Sequence, residues 1–281
     1  MLLFRYFGSY ALETLQSNLL KTATISSLND PFEVLYRLAG TMTFTKAKRY
    51  LKRRTKTQDF FTAAQFHNPE IRSRKDLKKF MAVERDTIAK NLVKGFPELN
   101  AQVLIEREAS ADRILRVVCF SESTVGCLEE ILIWSHYANK HRGVRVGFEF
   151  PEGIEAPFKI IPIQYQQERV AIDLTEGVEI DRVKTAINAS IRVKSLAWKY
   201  ECEHRMITTK EFCLPKKLPN GERGDFLPFQ REWVKHVDVG VRSSPQEIKA
   251  MKEFLGKEYP NVQLRQADFH PTDYALDYKA A

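Results

Sequence analysis

Residues 198–205 read Trp-Lys-Tyr-Glu-Cys-Glu-His-Arg, a run that combines two glutamates and an arginine at alternate positions. Read as a strand with a period of two, it places Glu201, Glu203 and Arg205 on one face. Two carboxylates and a guanidinium are costly to bury unless they pair. The stretch therefore has two interpretations. It is either a solvated edge strand in which Arg205 bridges Glu203, or a site where one carboxylate faces developing positive charge and the other assists a nucleophile.

Outward from this stretch, short strands and helices follow one another without a regular β-α-β order. Strands are predicted at 2–7, 22–26, 114–120, 144–150, 158–165, 234–241 and 262–269, and helices at 10–20, 128–139, 179–197 and 244–259. The alternation of residues 144–150 predicts a half-buried strand, and the last dozen residues are expected to fray. This mixture predicts the α+β class rather than a doubly wound sheet.

Residues 43–110 are predicted to be a charged helical insertion within a single domain of residues 1–281. Helices are expected near 45–56, 73–94 and 98–110, with breaks at Asn68-Pro69 and at Gly95-Phe96-Pro97.

The net charge of +8 is concentrated in this insertion. Residues 45–56 contain no acid but seven basic residues, Lys46, Lys48, Arg49, Lys52, Arg53, Arg54 and Lys56. Such a block favours a polyanion such as RNA or DNA, or an acidic partner protein. The alternative is a solvated helix face without a partner.

The sequence lacks the motifs that identify several common classes of enzyme and metal-binding protein. The chain has no Walker loop, no Rossmann glycine fingerprint, no HExxH and no GxSxG motif. Its four cysteines form no CxxC pair, and metal ligands do not recur at a recognisable spacing. No apolar run is long enough to span a membrane, and the start lacks the features of a secretory signal, so a cytoplasmic location is expected.

Four spaced segments carry a resemblance. They are Phe4-Arg5-Tyr6, the run 28–33 (Leu-Asn-Asp-Pro-Phe-Glu), Cys119-Phe120-Ser121 with residues 134–143, and the opening stretch 198–205. Together they resemble a large, mostly uncharacterised bacterial family with FNDPFE, CFS, WxxYAxxHxG and WxxExExR segments. The resemblance covers roughly residues 1–40 and 115–210, and Leu28 replaces the usual Phe. Read locally, Asp30 is predicted to cap a helix, with Glu33 at its third position.

That family in turn resembles a divergent branch of the ADP-ribosyltransferase superfamily. Such enzymes carry an Arg or His on the first strand, a Ser-containing strand with a nearby aromatic residue, and a late Glu, often as Glu-x-Glu. The resemblance implies an ADP-ribosyltransferase-like mixed β core and NAD as a substrate. It also implies a bacterial toxin role, restrained by an antitoxin and used in phage defence.

The resemblance assigns a role to each matching residue. Glu203 would stabilise an oxocarbenium-like ribose, and Glu201 would orient or deprotonate the acceptor. The expected NAD-binding residues are Arg5 at the pyrophosphate, Tyr6 in the pocket wall, Ser121 at the ribose or carboxylate, and Tyr137 and Trp134 stacked on nicotinamide. An aromatic pair at helical spacing is also common in a core.

Two other functions remain open from the residues alone. In the first, the basic helices of a non-catalytic module bind nucleic acid, and Glu201, Glu203 and Arg205 form a structural ion-pair ladder. In the second, a nuclease holds a metal with Asp30, Glu201 and Glu203.

Overall fold

The computed structural model describes residues 1–33, 37–122, 129–153, 155–173, 175, 185, 188–217 and 223–281. The helices are α1 (Ala11–Ser17), α2 (Phe44–Arg54), α3 (Gln58–His67), α4 (Arg74–Ile114), α5 (Glu129–Tyr137) and α6 (Pro245–Glu258). The strands are β1 (Leu2–Phe7), β2 (Leu19–Lys21), β3 (Arg37–Ala39), β4 (Leu115–Ser121), β5 (Val144–Glu149), β6 (Phe158–Pro162), β7 (Gln164–Gln166), β8 (Ala171–Asp173), β9 (Val193–Ser195), β10 (Glu203–Thr209), β11 (Leu214–Lys217), β12 (Arg223–Pro228), β13 (Val234–Val239), β14 (Gln263–Phe269) and β15 (Leu276–Ala280).

Within the described residues, eight strands form one mixed sheet in the order β15-β14-β13-β5-β1-β4-β10-β6. Strands β13 and β14 run parallel, and the other neighbouring pairs are antiparallel. This architecture of a large mixed sheet with several helices confirms the predicted α+β class. Because β4 and β6 flank β10, the opening stretch does not contribute an edge strand to the sheet, contrary to the first interpretation of it.

The chain forms two compact units. The first comprises Met1–Glu33, Ser110–Glu168 and Arg192–Ala281, and contains the large sheet. The second comprises Val34–Ala109 and Arg169–Ile191. It contains α2, α3, most of α4 and the parallel pair of β3 and β8. The predicted insertion at 43–110 thus falls almost wholly in the second unit, which also takes in a later segment of the chain.

The hydrophobic core of the first unit lies on one face of the sheet. Val146 and Phe148 of β5 face it, as alternation predicted, and Leu15 of α1 and Leu255 of α6 pack into the same cluster. Helix α6 begins as its sequence predicts, because Ser244 and Glu247 form a reciprocal capping box with Pro245 at the first position.

The other face of β5 is buried at Arg145 and Gly147 and exposed at Glu149, so the prediction of a half-buried strand holds only at the end of the strand. Arg145 is 0% exposed because it pairs with Glu130 of α5 and with Asp238 of β13, the latter at 2.7 Å. The two carboxylates compensate the desolvation of the guanidinium. The pairing holds α5 against the sheet.

Other predicted boundaries shift. Helix α4 continues through Pro97, where a break was predicted, and the C-terminal residues expected to fray instead form β15 against β14. The first predicted helix stops at Ser17, because Asn18 adopts a left-handed conformation and β2 follows. The strand expected at 22–26 is a single bridge at Ala23 followed by a 3₁₀ turn, Ile25–Ser27.

The predicted helix at 179–197 lies partly outside the described residues, as does the start of the one at 128–139. Of the former, residues 193–195 form β9 rather than helix. The helices in the part of the chain that the structure describes include none with the length and apolarity needed to cross a bilayer.

Candidate active site

A cavity of about 390 Å³ opens in the first unit where β1, β4 and β10 lie side by side. The strand register pairs Phe4 with Ser121, and Ser121 with Glu203. Six of the seven predicted site residues line this cavity: Arg5, Tyr6, Ser121, Tyr137, Glu201 and Glu203. The cavity falls within the range of about 300–1,000 Å³ typical of small-molecule sites.

The stretch that carries the two glutamates is not one continuous strand, as its alternation predicted. Residues Leu196–Glu201 form a 3₁₀ turn, Cys202 adopts a left-handed conformation with φ of 44°, and β10 begins at Glu203. Glu203 and Arg205 therefore share a strand face, whereas Glu201 approaches from the turn. Both glutamates are nevertheless 4% exposed and line the same cavity.

Lys194 joins the two glutamates, and sequence reasoning missed this role. Its Nζ lies 2.6 Å from Glu201 Oε2, 3.0 Å from Glu203 Oε2 and 2.9 Å from Glu33 Oε1. The Lys194 side chain is only 3% exposed. Burial alone would lower the pKa of Lys194, but attraction to the three carboxylates outweighs burial and raises it. Lys194 therefore remains an ammonium ion between the three acids.

Glu33 and Arg205 close the ion-pair cluster from its other side. Arg205 donates through Nε to Glu203 Oε1 at 2.7 Å and through Nη2 to Glu33 Oε2 at 2.5 Å. Glu33 was predicted to sit in the first turn of a helix, but Pro31–Glu33 is a turn and its carboxylate points to Arg205. Residues 34–36, where that helix would continue, lie outside the described residues.

The two carboxylates bound by Arg205 differ in their pKa. Burial raises the pKa of Glu33, and the cations counteract only part of the shift. Burial acts in the same direction on Glu203, but Arg205 and then Lys194 outweigh it and lower its pKa. Three carboxylates face two cations here, so a raised pKa on one acid brings the cluster closer to neutrality. Glu203 is the acid that stays ionised.

Glu201 is held by an aromatic hydroxyl as well as by Lys194. Tyr137 of α5 donates its hydroxyl to Glu201 Oε1 at 2.5 Å, and Asn29 Nδ2 donates to the Tyr137 oxygen at 2.5 Å. Burial and then the negative charge of Glu201 raise the pKa of Tyr137, which keeps its proton. Asn29 therefore also contacts the site. Asp30 keeps the structural role, because its Oδ1 accepts from Phe32 N at 2.9 Å.

Arg5 presents a buried donor to the cavity. Its Nη2 donates to the Lys21 carbonyl at 2.9 Å, whereas its buried Nη1 has no hydrogen-bond partner among the residues that the structure describes. Burial lowers the pKa of Arg5 to about 10, so the guanidinium is still charged at neutral pH. Arg5, Tyr6 and Lys21 also line a second cavity of about 170 Å³ beside the first. Two basic side chains, Arg5 and Lys21, thus line both cavities, and such donors suit an anion such as a pyrophosphate.

Trp134 does not line the cavity, and the prediction that it contacts nicotinamide is corrected. Its side chain is 0% exposed, and its Nε1 donates to the Tyr278 hydroxyl at 2.9 Å. Its ring lies edge-on to Tyr6 at 5.3 Å and stacks with His141 at 6.4 Å. Trp134 and Tyr137 are three residues apart on α5, yet the first packs in the core and the second reaches the cavity.

Glu201 and Glu203 meet at the Lys194 ammonium rather than at an open position between them. In the described ranges, no group of three or more His, Cys, Asp or Glu side chains is placed to hold a metal ion.

Comparisons with known proteins give one family match. A family model described as "Protein of unknown function (DUF2971)" matches residues 133–206. The matched range includes Trp134, Tyr137, Lys194, Glu201, Glu203 and Arg205. Searches of curated proteins and of solved structures gave no match.

Proposed function

We propose that this protein is an NAD-dependent mono-ADP-ribosyltransferase, an enzyme of the glycosyltransferase class with an ADP-ribosyltransferase-like β core. One observation carries the proposal. Arg5, Ser121 and Glu203 lie on three neighbouring strands and line one cavity, with Glu201 two residues before Glu203. This is the order and spacing of residues that the resemblance to such transferases implies.

The charge on Glu203 suits the bond that must break. In the proposed reaction the C1′–N bond of nicotinamide riboside breaks, its electron pair leaves with neutral nicotinamide, and the ribose C1′ becomes cationic. A fixed carboxylate stabilises such an oxocarbenium ion. Arg205 and Lys194 hold Glu203 in place and lower its pKa, which supports a role as a group that is ionised at neutral pH.

Glu201 is the candidate base for the second half of the reaction. A lone pair on an acceptor oxygen or nitrogen bonds to C1′, and the acceptor proton passes to the Glu201 carboxylate. The hydrogen bonds from Tyr137 and Lys194 orient that carboxylate at the cavity wall. The two glutamates share Lys194 but differ in their other partner, Tyr137 for Glu201 and Arg205 for Glu203, and thereby take two roles.

Arg5 is the candidate ligand for the NAD pyrophosphate. Its Nη1, which has no hydrogen-bond partner within the described part of the chain, and the nearby Lys21 lie along both cavities. A dinucleotide with a dianionic centre and two bulky ends matches two adjoining cavities that share a basic wall. In this arrangement the nicotinamide riboside occupies the larger cavity, beside Glu203 and Tyr137.

A second candidate function is favoured by one observation. Glu33, Glu201 and Glu203 are each paired with a buried cation, as a structural ion-pair network requires. In that case the chain is a non-catalytic module whose basic helices bind nucleic acid.

The deciding experiment measures NAD consumption. Purified protein is incubated with NAD labelled on its ADP-ribose part, with RNA, DNA and cell-extract protein offered separately, and nicotinamide release is measured alongside label transfer. We expect both signals in the wild type and in the surface control Glu253→Gln, and a loss of about 100-fold or more in Glu203→Gln. Glu253 is a matched control because its side chain is 70% exposed.

Circular dichroism of each variant separates lost chemistry from lost folding, and Ser121→Ala supplies a milder change in the same cavity. The proposal fails if folded wild-type protein consumes no NAD with any acceptor, or if folded Glu203→Gln is as active as Glu253→Gln.

A further inference from the structure

The charge excess of the chain resides wholly in the second unit. The sequence of Met1–Glu33, Ser110–Glu168 and Arg192–Ala281 contains 24 Lys and Arg and 24 Asp and Glu. The sequence of Val34–Ala109 and Arg169–Ile191 contains 20 basic against 12 acidic residues, which accounts for the entire net charge of +8. A neutral unit and a strongly basic one in the same chain point to a polyanionic partner for the basic one.

Helix α2 concentrates this charge on one side. Ala47 and Leu51 are buried in the hydrophobic core of the second unit, and the opposite side carries exposed side chains at i, i+3, i+4 and i+7. Arg49, Lys52 and Arg53 lie on α2 itself, and Lys56 lies in the turn that follows Arg54. Like charges at such spacing repel one another, so their side of the helix favours an external anion.

Not all seven residues of the predicted basic block belong to this surface. Lys46 and Arg54 are half-buried, and Lys48 pairs with Asp86 of α4 at 2.8 Å. The basic block therefore divides into a partly buried set, Lys46, Lys48 and Arg54, and an outer set whose side chains are exposed. Arg49, Lys52, Arg53 and Lys56 form the outer set, which we call the basic stripe.

Helix α4 adds charge beside the basic stripe. Lys48 meets Asp86 near one end of α2, and Arg74 Nη1 donates to the Thr55 and Thr57 carbonyls at 3.2 and 2.9 Å near the other. The two helices therefore run antiparallel over this length. The start of α4 lies alongside the end of the stripe, and its exposed residues there include Lys75, Lys78 and Lys79.

We propose that the basic stripe and the adjoining start of α4 bind the sugar-phosphate backbone of nucleic acid. From Arg49 to Arg53 the stripe covers about 6 Å along α2, and Lys56 extends it into the following turn, enough to face phosphates that recur every ~3.4 Å along one strand of a duplex. An anionic membrane fits less well, because an interfacial helix inserts an apolar face and that of α2 already packs against Leu77 and Met81. The proposal does not rest on NAD chemistry.

The test is nucleic-acid binding by the full-length protein without NAD. The probes are a labelled DNA duplex, its RNA counterpart and the single strands of each, titrated at salt concentrations between about 50 and 200 mM. The test variant is Arg49→Gln/Lys52→Gln/Lys56→Gln. The matched control is Lys210→Gln/Lys249→Gln/Lys257→Gln, which removes the same charge from exposed positions of the first unit.

We expect the wild type and the control to bind with a steep salt dependence. The test variant should bind about tenfold or more weakly, with a log–log salt slope smaller by about 2 to 3. A preference for DNA or for RNA among the probes identifies the natural partner. The proposal is overturned if no probe binds, if the two triple variants bind equally, or if the protein binds vesicles of phosphatidylserine but none of the nucleic acids.

Discussion

Tyr137 and Glu201 are joined by a 2.5 Å hydrogen bond from the tyrosine hydroxyl to Oε1, which links helix α5 to the turn before β10. Together with the bond from Lys194, this bond fixes the Glu201 carboxylate at the cavity wall. A site for proton transfer needs this fixation, because a base must be held within hydrogen-bond reach of the proton it accepts.

Tyr137→Phe should therefore impair acceptor modification more than NAD hydrolysis. The variant retains the ring but removes the donor, so we expect label transfer to fall about tenfold or more while nicotinamide release changes less. The measurement is the ratio of transferred label to released nicotinamide. Equal losses in both would show that the hydroxyl does not act through Glu201.

Lys194→Met should destabilise the fold strongly at neutral pH. The change leaves Glu201 and Glu203 with fewer partners, and breaking a buried pair typically costs about 3–5 kcal/mol. Urea denaturation at neutral pH measures the loss, with Lys199→Met as the exposed control on the neighbouring turn. Moderate acidification should recover part of the loss, because protonated carboxylates no longer need the cation. If Lys194→Met is as stable as Lys199→Met, the cluster does not support the fold.

Glu203 and Glu33 should respond to pH in opposite directions. At Glu203 the attraction of Arg205 and Lys194 outweighs burial and holds the pKa below its ordinary value of 4.5. Ionised Glu203 therefore contributes fully to the free energy of unfolding above pH 4.5, and this contribution is lost on acidification. At Glu33 burial dominates and raises the pKa above 4.5. Protonated Glu33 therefore contributes fully to the free energy of unfolding below pH 4.5, and this contribution declines as pH rises.

Urea denaturation of the wild type, Glu203→Gln and Glu33→Gln across this pH range measures both contributions. The stability difference between wild type and Glu203→Gln should shrink below pH 4.5, whereas that between wild type and Glu33→Gln should shrink above it. Parallel pH profiles for the two variants would contradict the assignment of opposite shifts.

Arg5→Ala should weaken NAD binding without changing the affinity for free nicotinamide. The variant removes the donor that we assign to the pyrophosphate, and a charge-assisted bond of that kind contributes roughly 1.5–3 kcal/mol. Calorimetric titration with each ligand should show a loss of about tenfold to 100-fold for NAD alone. A parallel loss for nicotinamide would place Arg5 elsewhere in the site.

The sequence predicts the local part of this site well. The spacing of Glu203 and Arg205 puts both on one face of β10, and the structure pairs them directly. The α+β class also follows from the order of the elements. The remaining contacts depend on residues far apart in the chain, such as Glu33 and Arg205, which are 172 positions apart. A single sequence carries no signal for such a pair.

Other differences come from tertiary structure overriding a local pattern. Lys194 lies in a stretch with helical periodicity, but its strand pairs with β7 and its side chain enters the acidic cluster. Glu201 reaches the site only because Cys202 takes a left-handed conformation, which the alternation of residues 198–205 does not reveal. The spacing of Trp134 and Tyr137 could not show which of the two helix positions the sheet would cover.

We propose above that the cavity between β1, β4 and β10 holds NAD with its reactive ribose against Glu203. A crystal structure of Glu203→Gln soaked with NAD tests it most directly, because the variant should bind the dinucleotide without consuming it. We predict the nicotinamide ribose within hydrogen-bond distance of residue 203, and the pyrophosphate at Arg5. NAD bound outside this cavity, or an empty cavity at a concentration that saturates binding in solution, would rule out this NAD site.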